Sequence, residues 1–204
     1  MTEYKLFPGC VIQNRLPFIE ASSKFVFDQL GLEYSAGEFG CCPNPVGLKF
    51  VDEKTWAALA ARNICEAEKE SKPIMSLCNG CYQSMAVAKH DIDHDSHLKT
   101  EVNEILSNIG KKYSGTSDIN HFVHVLIEKV GVDAIKAKIT RPLTGLKVAG
   151  HPGCHYARPS HKLHSEDPFH PVYLHQLIEA TGASVIEYDQ EMLCCGNSVR
   201  IEDP

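Results

Sequence analysis

Leu6-Phe7-Pro8-Gly9-Cys10 and His151-Pro152-Gly153-Cys154 are two copies of one short pattern, placed about 144 residues apart. In each copy, residues that favour a strand lead into Pro-Gly-Cys. After each copy the chain continues with a helical pattern, a glycine that ends the helix, a short strand and a Cys-Cys pair. This repeated order indicates an internal duplication, so the chain is expected to fold as two related units.

Strands and helices alternate in both units, which predicts an α/β fold with ligands gathered at the ends of the strands. The first unit is expected at residues 1–140, where a complete cysteine set is followed by a helical segment. Residues 141–204 are expected to form the first part of the second unit, which is incomplete in this chain. Short strands and helices should surround a metal or cluster site in each unit.

Composition excludes several classes of function. Hydrophobic residues make up 43% of the 204 residues and charged residues 23%, as in an ordinary globular protein. The net charge of −6 argues against a nucleic-acid binder, which needs a basic face. No run of apolar residues is long enough for a membrane span. The beginning of the chain lacks a signal pattern, so a cytoplasmic location is expected.

Five cysteines in the first half follow a regular spacing. Thirty residues separate Cys10 from Cys41-Cys42, thirty-five separate this pair from Cys78, and Cys81 completes a Cys-x-x-Cys. Nine cysteines in a reducing compartment favour metal binding over disulfides. Soft thiolates bind iron or zinc, and converging loops suit an iron–sulfur cluster. Zinc closes a site with four ligands, so five thiols favour the cluster, with zinc as the alternative.

This spacing and several longer stretches resemble the CCG-domain family, and within it the B subunits of heterodisulfide reductase. The resemblance extends over the whole chain. It is carried by the cysteines and by these segments: GCVIQNRLPFIE, CCPNP, TWAALAARN, LCNGCY, VNEIL, PLTGLKVAGHPGCHYARPS and TGASVIEY. More distant CCG-domain proteins, such as glycolate oxidase iron–sulfur subunits and thiol-dependent fumarate reductase, share the spacing but lack the TWAALAARN segment.

The resemblance implies a non-cubane 4Fe-4S cluster with five cysteine ligands in each unit, hence two clusters, of which this chain completes one. The first cluster would use Cys10, Cys41, Cys42, Cys78 and Cys81. The second would begin with Cys154, Cys194 and Cys195. Transferring the first spacing places a further Cys-x-x-Cys at about positions 231 and 234, which predicts residues beyond Pro204.

The same resemblance implies a reaction and its partners. The expected activity is reduction of the coenzyme M–coenzyme B disulfide to two thiols, an oxidoreductase reaction in which the disulfide is cleaved between two clusters. No Gly-x-Gly-x-x-Gly motif is present, so electrons must come from other chains. The expected donors are the flavin-bearing A subunit and the C subunit with its cubane 4Fe-4S clusters. A hydrogenase or a formate dehydrogenase is a further candidate partner.

Some other polar residues are candidates for contact with substrate. His155 directly follows a predicted ligand cysteine and is the candidate catalytic residue. A substrate with sulfonate, phosphate and carboxylate groups needs cations, and four basic residues lie near the cysteines in sequence. These candidates are Arg15, Lys49, Arg158 and Arg200.

Other residues in the pattern are expected to be structural. Cys65 lies within a helical pattern without a partner and is expected to be a small buried residue. His121 and His124 are expected to be ordinary residues of a helix over 119–129. Two alternatives to the reductase remain at this point: a non-catalytic electron-transfer subunit, and a CCG subunit of a hydroxy-acid or quinone oxidoreductase.

Overall fold

The computed structural model describes residues 2–163 and 166–196. Arg200 and the residues after it therefore lie outside the described part of the chain. The chain divides into two compact units at residue 122, earlier than the boundary expected from sequence at residue 140. Each unit contains parallel strands connected by helices, and the predicted α/β class is confirmed.

The secondary structure of the two units is as follows. The strands are β1 Tyr4–Phe7, β2 Tyr34–Ser35, β3 Ile74–Ser76, β4 Ile119–His121, β5 Lys147–Val148 and β6 Ser184–Val185. The helices are α1 Cys10–Arg15, α2 Pro17–Leu30, α3 Leu48–Val51, α4 Glu53–Glu68, α5 Asn79–His94, α6 Ser96–Ser107, α7 Phe122–His124, α8 Val132–Lys138, α9 Cys154–Ala157 and α10 Tyr173–Ala180. A π-helical segment, Val125–Val130, follows α7.

A four-stranded parallel sheet organises the first unit, with the strand order β2-β1-β3-β4. The central strands β1 and β3 are buried along their whole length, as expected for parallel strands covered on both faces. Phe7 lies opposite Ser76, and Ser76 lies opposite His121, so three strands end at the same level. The loops that leave this edge carry the cysteines.

Helices α4, α5 and α6 pack together, and α5 also contacts strands β3 and β4. Helix α4 begins at Asp52, whose carboxylate accepts the backbone N–H of Thr55 at 2.9 Å. The alanines of TWAALAARN bring α4 close to its neighbours because they occupy little space. Trp56 and Ile64 on the same helix are almost fully buried.

The second unit repeats the beginning of the first. Strands β5 and β6 pair in parallel, as β1 and β2 do. Gly9 has φ 90° and ψ 144° before Cys10, and Gly153 has φ 85° and ψ 144° before Cys154. Each glycine is the residue before a short helix that begins at the cysteine. The backbone therefore has the same local conformation at the two Pro-Gly-Cys sites.

The expected helix over 119–129 begins differently in the structure. Residues Ile119–His121 form the edge strand β4, and His121 and His124 are both buried. His121 lies edge-on to the Tyr82 ring at 5.6 Å, whereas His124 packs against Tyr156 at 5.0 Å. The helical spacing was misleading at this point because strand pairing with β3 overrides a local periodicity.

The carboxylate of Glu68, at the end of α4, holds the loop that precedes β4. It accepts backbone N–H groups from Ser114 at 3.1 Å, Gly115 at 2.6 Å and Thr116 at 2.8 Å. Gly115 has φ +87°, which suits glycine. Hydrogen bonds to an ionised carboxylate are stronger than neutral ones, so this contact fixes the approach of the chain to the sheet edge.

We expect Glu68→Gln to lower the free energy of unfolding by about 1–3 kcal/mol, since the amide loses charge and places N–H against N–H. Urea denaturation monitored by circular dichroism measures this. Glu104→Gln makes the same change at an exposed position of α6 and should stay within about 0.5 kcal/mol of the wild type. Equal losses in the two variants would contradict the role given to Glu68.

Candidate cluster site

Five cysteines meet beyond the carboxyl edge of the four-stranded sheet. Cys10 begins α1 after strand β1, and Cys78 caps α5 after strand β3. Cys81 lies in the first turn of α5. Cys41 and Cys42 come from the loop after strand β2. In an open parallel sheet this edge is the usual place for a ligand, because loops from neighbouring strands converge there.

The five thiols influence one another in a continuous series. Cys41 interacts with Cys10 and Cys42, and Cys42 interacts with Cys81 and Cys78. The thiol of Cys81 forms hydrogen bonds with the sulfurs of Cys42 and Cys78, which raises the pKa of Cys81 and lowers that of Cys42. The hydrogen bond between Cys81 and Cys78, together with the backbone N–H groups of Cys81 and Gly80, lowers the pKa of Cys78 to about 6. Thiolate character is therefore favoured at Cys42 and Cys78.

Gly9 is required by the close approach of the loops. A β-carbon at this position would lie 3.0 Å from Sγ of Cys81 and 3.3 Å from Cβ of Cys78. The positive φ of Gly9 also disfavours any other residue. Beside this point, Cys10 and Cys41 line a cavity of about 460 Å³, together with Gln13, Lys24, Tyr34 and Phe39.

Two buried polar side chains hold the Cys-Cys loop on its helices. Asn63 of α4 accepts the N–H of Gly40 at 2.8 Å and donates to the carbonyl of Cys41 at 2.9 Å. Ser84 of α5 donates to the carbonyl of Pro43 at 2.6 Å. The loop is thus fixed on both sides of the cysteine pair, with its backbone groups paired to protein rather than to water.

A second set of thiols gathers in the second unit. Burial is the main cause that raises the pKa of the Cys154 thiol. Cys194 and Cys195 raise this pKa further because they lie close by. The ring nitrogen Nε2 of His175 lies 2.6 Å from the carboxylate of Glu191, which ties α10 to the loop before the cysteine pair. The structure thus brings together the three cysteines that the sequence analysis assigned to this site.

The structure gives the candidate substrate residues different surroundings. Lys49 pairs with Asp91 at 2.8 Å and lies over the Trp56 ring, while Arg15 is exposed at the end of α1. Arg158 donates to the carbonyl of Pro168 at 3.3 Å and lies over Phe169. His155 is half-buried, and burial lowers its pKa. Their contact with substrate stays a prediction.

Sequence patterns did not indicate two residues of this site, Arg62 and Asn63. Asn63 is 1% exposed, and the Arg62 guanidinium lies over Gly40. Both residues belong to the segment TWAALAARN, and the resemblance of this segment to the B subunits is the sequence feature that could have indicated them. Cys65, two residues further along α4, is 3% exposed with its pKa raised by burial to about 11, as expected for a structural cysteine.

The first set of thiols fits an iron–sulfur cluster by its chemistry and its placement. Five sulfurs from three loops interact with one another in a continuous series, and backbone N–H groups already point at one of them, as they do at cluster sulfurs. Within residues 2–163 and 166–196, no three His, Cys, Asp or Glu side chains are arranged to hold a single metal ion. Cys10, Cys41, Cys42, Cys78 and Cys81 would hold the cluster.

Comparison with known families agrees with this arrangement. The cysteine-rich domain named CCG matches residues 4–86 and again residues 148–203. The chain belongs to the CCG cysteine-rich domain family. The two matched ranges correspond to the two copies seen in the sequence, so the predicted duplication is confirmed.

Three curated relatives resemble the chain over almost its whole length. The B subunit of the ferredoxin/F(420)H(2)-dependent CoB–CoM heterodisulfide reductase of Methanosarcina acetivorans is 39% identical over 96% of the chain. A protein of Archaeoglobus profundus, described as like the heterodisulfide reductase B subunit, is 38% identical over 100%. The 8-methylmenaquinol:fumarate reductase membrane anchor subunit of Wolinella succinogenes is 29% identical over 95%. The predicted resemblance to the B subunits is confirmed.

The chain spans 65%, 70% and 67% of the lengths of these three relatives, in the same order. A crystal structure of a hypothetical protein from Helicobacter pylori shares the fold, with a TM-score of 0.70 and 11% identity. That match covers 98% of this chain and 36% of the other. Across the part of the chain that the structure describes, no helix has the length and apolar character needed to cross a membrane.

We expect Asn63→Leu to destabilise the protein by about 1–3 kcal/mol and to lower its iron content, because it leaves Gly40 N–H and the Cys41 carbonyl without their partner. Urea denaturation and iron analysis of the same preparations measure both effects. Asn108→Leu makes the same change at an exposed position, where water can replace the hydrogen bonds of Asn108 to the Glu104 and Ile105 carbonyls. It should stay within about 0.5 kcal/mol of the wild type and keep the wild-type iron content. An Asn63→Leu protein with wild-type stability would contradict the role given to this amide.

Proposed function

We propose that this chain is a large part of a catalytic B subunit of heterodisulfide reductase, which reduces the coenzyme M–coenzyme B disulfide to two thiols. The convergence of five thiols at the sheet edge carries the proposal, since such a set suits a non-cubane 4Fe-4S cluster. The identity to B-subunit relatives supports the choice of reaction. Two electrons and two protons are consumed for each disulfide.

The residues of the chain have separate roles in this proposal. Cys10, Cys41, Cys42, Cys78 and Cys81 hold the first cluster as thiolates, and Cys154, Cys194 and Cys195 hold part of a second. When bound, the clusters supply the electrons for cleavage of the sulfur–sulfur bond. His155 contacts the substrate beside the second set. The protein contributes the position and electrostatics of these groups, as in other cofactor enzymes.

Cations are needed for the charged ends of the disulfide substrate. Arg158 and Arg15 are proposed for this role, with Arg200 as a third candidate outside the described residues. Lys49 is a weaker candidate than the sequence suggested, because the carboxylate of Asp91 already neutralises its charge at 2.8 Å. The 460 Å³ cavity beside Cys10 and Cys41 offers space next to the first set of thiols.

Electron transfer requires other chains in this proposal. The A subunit with a flavin and the C subunit with cubane 4Fe-4S clusters are the proposed partners, and a hydrogenase or a formate dehydrogenase is a further donor. The second cluster would take its remaining ligands from residues beyond Pro204. The relatives are named as B subunits, which supports assembly of this chain in a complex with other subunits.

A quinone-linked reaction is the second candidate function. It is favoured by the identity of 29% over 95% of the chain to the Wolinella succinogenes protein, whose name includes 8-methylmenaquinol:fumarate reductase. In that case the same thiols would serve electron transfer rather than disulfide cleavage. The two functions differ in the substrate that oxidises the reduced protein.

We expect Cys42→Ser and Cys78→Ser to lose the first cluster, since each removes a thiolate from a set that needs all five. Iron and acid-labile sulfide per chain, after anaerobic purification, measure this loss. Cys65→Ala removes a cysteine from the same unit outside the set and should keep the wild-type iron content. Zinc without sulfide in the wild type, or equal iron loss in Cys65→Ala, would contradict the cluster assignment.

We expect the full-length protein, loaded with clusters and reduced by a low-potential dye, to be reoxidised by the coenzyme M–coenzyme B disulfide with release of two thiols. Thiol release is followed with a colorimetric reagent under anaerobic conditions. The homodisulfides of the two coenzymes serve as controls and should react more slowly. Reoxidation by a menaquinone analogue, without reaction of the disulfide, would support the second candidate function instead.

A further inference from the structure

Arg62 lies beside the first cysteine site, although it is 20 residues from the Cys41-Cys42 pair in sequence. It is half-buried on α4, and its guanidinium covers Gly40, the residue before Cys41. A β-carbon built on Gly40 would overlap the guanidinium, with the Arg62 Cζ atom at 2.6 Å. The absence of a side chain at position 40 therefore allows the cation to lie against Gly40, the residue before Cys41.

The charge of Arg62 has no acidic counterpart in the described part of the chain. Within residues 2–163 and 166–196, no carboxylate forms an ion pair with this guanidinium. A guanidinium stays charged at all relevant pH values, and a half-buried charge without a partner is costly.

The other cations near the cysteines are less suited to this role. Lys49 is paired with Asp91 at 2.8 Å and lies 3.9 Å from Glu53. Arg15 is exposed, so solvent and salt screen its charge. Arg62 combines partial burial, a charge unpaired among the described residues and direct contact with the segment that carries Cys41.

We propose that Arg62 is the counter-charge of the first cluster, and that its guanidinium positions the Gly40–Cys41 segment and raises the reduction potential of the cluster held there. The inference rests on the proposed function in one respect, namely that a cluster binds to Cys10, Cys41, Cys42, Cys78 and Cys81. Thiolates and sulfides give such a cluster a negative charge, and reduction adds a further electron. A nearby cation stabilises the reduced state more than the oxidised state. Arg62 is a positioning residue that acts through Cys41.

The test is a redox titration of the cluster-loaded full-length protein, followed by electron paramagnetic resonance. At a fixed potential, Arg62→Gln should lower the ratio of reduced to oxidised first cluster about tenfold, which corresponds to a negative shift of about 59 mV for a one-electron couple. Arg62→Lys keeps the charge and should titrate near the wild type. Lys112→Gln removes the same charge from an exposed loop and should cause no shift.

Gly40→Ala offers an independent route to the same effect, because the added methyl group displaces the guanidinium without removing it. Gly40 does not have a positive φ, so alanine is compatible with its backbone. Gly40→Ala should shift the potential in the same direction as Arg62→Gln. The double variant should shift it no further than Arg62→Gln alone, since both changes remove one interaction.

The possible results separate this inference from the proposed function. A wild type without iron and sulfide overturns both, because no cluster is then present. A wild type with its cluster, and an Arg62→Gln variant with the same potential, overturns only the inference. If Arg62→Gln fails to hold a cluster, a loaded Arg62→Lys near the wild-type potential supports the role of charge. Failure of Arg62→Lys to assemble its cluster would overturn it.

Discussion

The parallel pairing of β1 with β3 is the interaction on which the first site depends. It places Phe7 opposite Ser76 at one level of the sheet, so the loops to Cys10 and Cys78 leave the sheet side by side. Both strands are completely buried, and their backbone groups are satisfied by the sheet itself. A slip of one residue in this pairing would reverse the faces of a strand and separate the thiols.

Helices α4 and α5 bring in the remaining pair of cysteines. They pack against each other and against α6, and each contributes one buried polar side chain, Asn63 or Ser84, to the Cys-Cys loop. A loop with little secondary structure is thereby held on a rigid pair of helices. Preorganised ligands of this kind lower the entropic cost of binding a cluster, because the loop is ordered beforehand.

The electrostatics of the site follow from burial and from the mutual approach of the thiols. Cys81 shares its proton with the sulfurs of Cys42 and Cys78, so these two sulfurs favour the thiolate form that binds metal. At Cys41, by contrast, burial raises the pKa of the thiol, and the Arg62 guanidinium only partly opposes this rise. The second unit repeats the Pro-Gly-Cys conformation and the Cys-Cys pair, which agrees with a duplicated origin for both sites.

The sequence by itself determined the α/β class, the duplication, the family and the cysteines that come together, because these depend on spacing and on local patterns along the chain. Only the tertiary structure decided that His121 ends a strand, that Asp91 pairs with Lys49, that Asn63 holds the Cys41 segment and that Arg62 lies against Gly40. Asn63 and Cys41 are 22 residues apart, and Lys49 and Asp91 are 42 apart. Such contacts depend on how whole helices pack, and no local pattern of residues encodes that packing.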